Sequence, residues 1–125
     1  MHKTLNGTRI LVVDDSDDLR ETLAFVLSKA GAEVDTAADG MQAISKAQAA
    51  TYQMIILDVR MPGLDGHATA ERISAASCEN EKPIFIALSG EQRGGGEFPF
   101  ALWLHKPIKP QTLLQSIIAA LPGAG

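Results

Sequence analysis

Short apolar runs alternate with amphipathic segments along the chain, and this alternation limits the possible fold more than any other feature. The apolar runs are Ile10 to Val13, Gln53 to Leu57, Pro83 to Leu88 and Ala101 to Leu104, with a weaker alternating run from Glu33 to Ala37. Near-continuous apolar strands are typical of a parallel sheet that is covered by helices on both faces. The sequence therefore predicts an α/β fold with a doubly wound, five-stranded parallel sheet.

Amphipathic segments between the runs predict the helices that connect the strands. Apolar residues recur with the helical period of 3.6 in four segments. These stripes are Leu19, Leu23, Val26, Leu27 and Ala30; Met41, Ile44 and Ala47; Leu64, Ala68 and Ile73; and Leu113, Leu114, Ile117, Ile118 and Leu121. Gly31 follows the first stripe at the position of a helix C-cap, and Pro110 suits the first turn of the last helix.

The interval from 90 to 100 departs from this pattern. Its sequence is GEQRGGGEFPF, where the fourth helix of a regular β-α repeat would lie. Each of three successive glycines costs about 1 kcal/mol relative to alanine in a helix, and a proline follows. We therefore predict a loop or at most one turn here, so that the fourth helix is short or missing.

Length and charge restrict the class of protein. A chain of 125 residues suits a single domain over 1–125, with a core from about 9 to 121. A net charge of −4 disfavours non-specific binding to nucleic acid or to an anionic membrane. No apolar run approaches the roughly 20 residues that cross a bilayer, and the amino terminus lacks a secretory pattern. Cys78 is the only cysteine, so we expect a reducing, cytoplasmic setting.

Polar side chains follow four of the five predicted strands. Asp14 and Asp15 end the first strand and Asp58 ends the third, while Ser89-Gly90 and Lys106-Pro107 end the fourth and fifth. In parallel sheets, ligands bind at the carboxyl ends of the strands. Each residue alone has a structural explanation: Asp58 could be a helix N-cap, Ser89 a turn residue and Lys106 a solvated strand end. Their joint placement favours one common site.

Three neighbouring carboxylates need a compensating positive charge. At about 5 Å, two of them repel by about 3 kcal/mol at an effective dielectric constant near 20. Hard oxygen ligands without histidine or cysteine indicate Mg²⁺, or alternatively Mn²⁺. With Lys106 opposite, such a metal would reverse the local field and let the site receive an anion such as a phosphate group.

Four motifs in the expected order resemble the receiver domain of bacterial response regulators, the phospho-accepting part of two-component signalling. They are ILVVDDSDD, IILDVRMPGLDG, IALSG and LHKPI. The resemblance implies a CheY-like fold with strand order 2-1-3-4-5. It also implies that Asp58 accepts a phosphoryl group from a phosphohistidine, on a sensor histidine kinase or a histidine phosphotransfer protein. The protein would then signal to a downstream protein target and would not act as an enzyme on other substrates.

The resemblance also implies roles for the residues around Asp58. Asp15 would bind Mg²⁺ directly, Asp14 would bind it through a water, and the backbone carbonyl of Arg60 would be a further ligand. Ser89 and the Gly90 N–H would contact the phosphoryl oxygens, and Lys106 would pair with Asp58 and then with the phosphoryl group. The Lys106-Pro107 peptide would be cis. Trp103 lies at the position of the family's switch aromatic, although a tryptophan on a strand is ordinarily a core residue.

Three other functions remain open. The chain could be the receiver module of a hybrid histidine kinase or a phosphorelay intermediate. It could be a degenerate receiver that only binds partners. It could also be a Mg²⁺-dependent phosphatase with an aspartyl-phosphate intermediate, but such enzymes carry DxD after the first strand, whereas this chain carries adjacent aspartates.

Overall fold

The computed structural model describes residues 5–60, 63–78, 81–90 and 100–120. Strands and helices alternate along most of this part of the chain, as the hydrophobic pattern predicts. The strands are β1 (Arg9–Val13), β2 (Glu33–Ala37), β3 (Met54–Asp58), β4 (Ile84–Ser89) and β5 (Phe100–His105). The helices are α1 (Asp17–Lys29), α2 (Gly40–Ala49), α3 (Gly66–Ala76) and α4 (Pro110–Ala120). The interval 91–99, where we predict a short or missing helix, lies outside the described residues.

All five strands are parallel, and their order in the sheet is β2-β1-β3-β4-β5. This confirms the predicted fold class and strand order. Asp58 is in register with Leu88, and Ser89 is in register with His105. Because parallel strands end at the same edge, the groups that follow β1, β3, β4 and β5 lie along one rim of the sheet.

Two hydrophobic layers hold the helices against opposite faces of the sheet. Alternate residues of each central strand point to opposite faces, which is the geometry of a pleated strand. Leu11 and Val13 belong to the layer that α2 and α3 cover, whereas Ile10 and Val12 belong to the layer that α1 and α4 cover. Every residue of β3 is buried, so the strand that carries Asp58 is fixed on both sides.

Side-chain caps start three helices near the rim. Ser16, Asp39 and Asp65 accept hydrogen bonds from the N–H groups of Leu19, Gln42 and Ala68, respectively. At the other end of α1, Gly31 has φ of 108°. The N–H groups of Gly31 and Ala32 donate to the carbonyls of Ser28 and Leu27, at 3.0 and 3.1 Å, and form a Schellman motif. The predicted C-cap at Gly31 is therefore confirmed.

Within the described residues, no helix combines the length and the apolar character that crossing a membrane requires.

Candidate functional site

Three carboxylates meet at the carboxyl rim of the sheet. One oxygen from each of Asp14, Asp15 and Asp58 lies within 4.8 Å of the other two. Asp14 and Asp58 are buried, and Asp15 is exposed. Ligands on opposite sides of an octahedral Mg²⁺ are roughly 4.2 Å apart, twice the metal-oxygen distance. The 4.8 Å limit is close to that separation and the donors are hard oxygens, so these three residues would suit a divalent cation.

Asp14 is held by contacts at both carboxylate oxygens. Its Oδ1 accepts the backbone N–H of Ser16 at 2.8 Å, and its Oδ2 accepts Lys106 Nζ at 3.1 Å. Its own side chain is completely buried. A buried charge is tolerable only when it is paired and hydrogen-bonded, and these contacts supply both conditions.

Asp58 closes β3 and shares the lysine with Asp14. Its Oδ1 accepts the N–H of Arg60 at 3.0 Å, and its Oδ2 accepts Lys106 Nζ at 3.0 Å. The residue is 6% exposed, so it lies at the bottom of the acidic cluster rather than on its surface. Lys106 thus bridges two carboxylates that come from different strands.

The pKa values of Asp58 and Lys106 are both raised, but for different reasons. Burial raises the pKa of Asp58, although the hydrogen bonds from Lys106 and Arg60 oppose the increase. Burial alone would lower the pKa of Lys106, but its hydrogen bonds to Asp58 and Asp14 outweigh that effect and raise the pKa. The ammonium group therefore stays charged beside the carboxylates at neutral pH.

The remaining strand-end residues lie next to the lysine. Ser89 ends β4 and is buried, and its carbonyl accepts the backbone N–H of Lys106 at 2.7 Å. Gly90 follows it and is exposed. The Lys106-Pro107 peptide bond is cis, which is the isomer that the resemblance implies.

Trp103 lies on β5 and packs against Phe100. Its ring meets Phe100 edge to face with centroids 5.8 Å apart, and it borders the layer beneath α2 and α3. Its Nε1–H is buried, and no acceptor for it is found in the described part of the chain. No hydrogen bond or ring contact among those residues joins the indole to the acidic cluster.

Two residues near the cluster were missed in the sequence analysis. Arg20 donates from Nη1 to the carbonyl of Asp14 at 2.7 Å. Gly66 packs so closely that a Cβ atom there would lie 2.3 Å from the carbonyl oxygen of Asp58. Arg20 had a signal in the sequence, because a cation near the amino end of a helix opposes the helix dipole and needs a local reason. The contact of Gly66 has no comparable signal.

The fold and this cluster agree with a known protein family. Residues 10–118 match the family model of the response regulator receiver domain. The chain belongs to that family. It is therefore a phospho-accepting receiver of a two-component signalling system, and it has the CheY-like fold that the motifs implied.

Individual relatives of this receiver domain support the assignment. The chain is 31% identical to the protein PilG of Pseudomonas aeruginosa over 98% of its own length and 93% of PilG. The chemotaxis protein CheY4 of Vibrio cholerae is 34% identical, with a TM-score of 0.84 over 91% of this chain and 98% of CheY4. The response regulator TrrA of Thermotoga maritima, solved in complex with Mg²⁺-BeF, is 29% identical with a TM-score of 0.79, over 91% and 99% of the two chains. Several other curated relatives are longer, and the chain spans 54%, 49% and 46% of three of them.

Proposed function

We propose that Asp58 accepts the phosphoryl group and that the acidic cluster holds Mg²⁺ for this reaction. The observation that supports this most strongly is the bridge from Lys106 Nζ to Asp14 and Asp58, at 3.1 and 3.0 Å, inside a cluster of three carboxylates. Asp14, Asp15, Asp58 and the backbone carbonyl of Arg60 would hold the ion, and Mn²⁺ has similar ligand preferences. When bound, the ion would offset negative charge on the cluster and on the transferring group.

Asp58 acts as the nucleophile in this proposal. A carboxylate oxygen of Asp58 attacks the phosphorus atom of a phosphohistidine on a sensor histidine kinase or a histidine phosphotransfer protein. The new O–P bond forms as the P–N bond breaks, and the imidazole leaves with the electron pair. No general base is needed, because the attacking carboxylate is already deprotonated beside Lys106.

Neighbouring groups stabilise the charge that spreads over the phosphoryl oxygens. Lys106 moves its hydrogen bond from the carboxylate to a phosphoryl oxygen, and the hydroxyl of Ser89 and the N–H of Gly90 donate to the others. Donors that are fixed before the reaction stabilise such a transition state without reorganisation. The described fold supports this because Ser89 and Lys106 are already joined through their backbones at 2.7 Å.

Trp103 is the proposed switch residue. Its buried N–H lacks an acceptor in the described residues, and such an unsatisfied group costs about 1–3 kcal/mol. A phosphorylated state that offers an acceptor would recover part of that energy and favour a new orientation of the indole. Trp103 is the only tryptophan, so its fluorescence reports this change directly.

The output is contact with a downstream protein, and the chain acts on no second substrate. We infer that residues 1–125 work as one receiver domain in the cytoplasm, with its core at about 9–121. A net charge of −4 disfavours non-specific binding to nucleic acid or to an anionic membrane. A receiver module of a hybrid kinase or a phosphorelay intermediate would use the same chemistry at Asp58.

Intact-mass measurement after incubation with Mg²⁺ and acetyl phosphate tests the proposal. We expect one phosphoryl adduct and a change in Trp103 fluorescence, and both should be lost in Asp58→Asn. Asp39→Asn is the matched control, because an asparagine can still cap α2 and should leave the adduct intact.

Other results would contradict the proposal in distinct ways. An adduct that persists in Asp58→Asn would exclude Asp58 as the acceptor. Continuous turnover of phosphoesters would indicate a phosphatase, and a folded protein that forms no adduct would indicate a degenerate receiver.

A further inference from the structure

Asp15 differs from its two acidic neighbours in how it is held. Asp14 and Asp58 each accept a backbone N–H and share the lysine. The side chain of Asp15 is exposed, and within the described residues no hydrogen bond or ion pair fixes it. Its direction must therefore be set by its backbone, and in particular by the peptide unit that joins it to Asp14.

Arg20 holds that peptide unit. Its Nη1 donates to the carbonyl oxygen of Asp14 at 2.7 Å, and its Nη2 contacts the carboxylate of Asp17 at the start of α1. The Arg20 side chain is 16% exposed, whereas that of Asp17 is 78% exposed. One nitrogen of the guanidinium thus binds the Asp14 carbonyl of the site, and the other binds the Asp17 carboxylate at the start of α1.

The guanidinium group is suited to this geometry. It is planar and presents several donors in a fixed arrangement, whereas a lysine ammonium is a single point on a flexible stem. Arg20 therefore fixes the turn between β1 and α1 from two sides at once. The preceding peptide unit, which joins Val13 to Asp14, is fixed as well, because the N–H of Asp14 donates to the carbonyl of Ala37 at 3.2 Å.

We propose that Arg20 is a positioning residue that presents Asp15 to the cation by holding the Asp14-Asp15 peptide unit. This inference rests on the Mg²⁺ site of the proposed function and assigns a role to a residue outside the acidic cluster. Residues that orient metal ligands typically change metal affinity by 10- to 100-fold when they are replaced. We expect the lower end, because Arg20 acts through the backbone and not on the carboxylate itself.

A purely electrostatic role of Arg20 predicts the opposite sign. A positive charge beside a cation site weakens cation binding, so removal of that charge alone would tighten Mg²⁺ binding. Removal of a positioning contact weakens it instead. The two explanations are therefore separated by the direction of the change in Kd.

Calorimetric titration of the whole chain with MgCl₂, without any phosphodonor, measures this Kd. We expect Arg20→Gln and Arg20→Lys each to raise the Kd about tenfold, since neither side chain can replace the two-sided contact. The matched control is Arg72→Gln, which removes the same charge from an exposed position on α3, on the other side of the sheet. Its Kd should remain within twofold of wild type.

A double-mutant cycle tests the route through Asp15. In an Asp15→Asn background, Arg20→Lys should change the Kd by less than twofold, because the ligand that it positions is already altered. The free energy of unfolding, measured in EDTA, separates the positioning role of Arg20 from a merely structural role. A merely structural role would lower stability without changing the Kd of the folded protein.

An Arg20→Gln protein that binds Mg²⁺ as tightly as wild type, or more tightly, would overturn the inference. An Arg20→Lys protein with the wild-type Kd would do the same. A wild-type chain that binds no Mg²⁺ would overturn both this inference and the metal site. If Mg²⁺ binds normally but no phosphoryl adduct forms, only the proposed function fails.

Discussion

Replacing Lys106 by methionine removes the charge that separates two buried carboxylates. Methionine keeps most of the aliphatic stem, so the change isolates the ammonium group. Without it, oxygens of Asp14 and Asp58 within 4.8 Å repel by about 3.5 kcal/mol at an effective dielectric constant near 20. The lysine side chain is 27% exposed, and water that enters in its place would screen part of this repulsion. We expect a loss of about 2–3 kcal/mol in the free energy of unfolding, or roughly 10 °C in Tm.

The loss should depend on pH because ionised Asp58 opposes folding. The pKa of Asp58 is raised from 3.8 mainly by burial, so its penalty is absent below 3.8 and grows as pH rises through the folded-state value. The pKa of Lys106 is raised from 10.5, so the stability it contributes is present below that value and is lost as pH rises through the folded-state pKa. Wild type and variant should therefore differ most near neutral and mildly alkaline pH, and converge towards pH 4.

Urea unfolding at several pH values, in EDTA and in excess MgCl₂, measures these differences. Mg²⁺ should restore more stability to Lys106→Met than to wild type, because the ion replaces the missing positive charge. The control is Lys82→Met, which changes the net charge equally. Lys82 is exposed and donates to the Ser74 carbonyl, with no carboxylate partner among the described residues. A loss in Lys106→Met no greater than in this control, or one that neither acid nor Mg²⁺ reduces, would refute the electrostatic account.

Two further substitutions test contacts away from the metal ligands. Gly66→Ala places a methyl group 2.3 Å from the Asp58 carbonyl oxygen. It should cost about 1–3 kcal/mol of stability in urea and slow adduct formation, and an unchanged rate would show that α3 does not position Asp58. Tyr52→Phe removes the 2.6 Å bond from the Tyr52 hydroxyl to Asp35 and should cost about 1 kcal/mol at neutral pH. Burial, followed by the bond to Asp35, raises the pKa of Tyr52 from 10.0 to about 12. Stability curves of wild type and Tyr52→Phe should therefore converge as pH rises from 10 towards 12, and a constant gap would contradict that shift.

The hydrophobic pattern was sufficient to predict most of the fold. The predicted bounds of the strand from Glu33 to Ala37 agree with the structure. For the other four strands, each predicted end differs from the observed end by at most one residue. The central strands β1, β3 and β4 were readable because a strand that is buried on both faces must be apolar along its length. The edge strand β2 is only partly buried and was predicted from its alternating pattern instead. The roles of Asp14, Asp15, Asp58, Ser89 and Lys106 remain proposals, but their strand-end positions were readable because parallel strands end at a common rim.

The sequence by itself determined the fold class, the strand ends and the types of polar groups that occupy them. Periodicity and residue chemistry are local, and they are written directly in the order of the residues. Only the tertiary structure decided which further atoms touch: that Lys106 also pairs with Asp14, that Arg20 holds the Asp14 carbonyl, and that Gly66 lies against Asp58. These contacts depend on register and on the packing of helices against the sheet, which are set by the whole core and not by any local pattern.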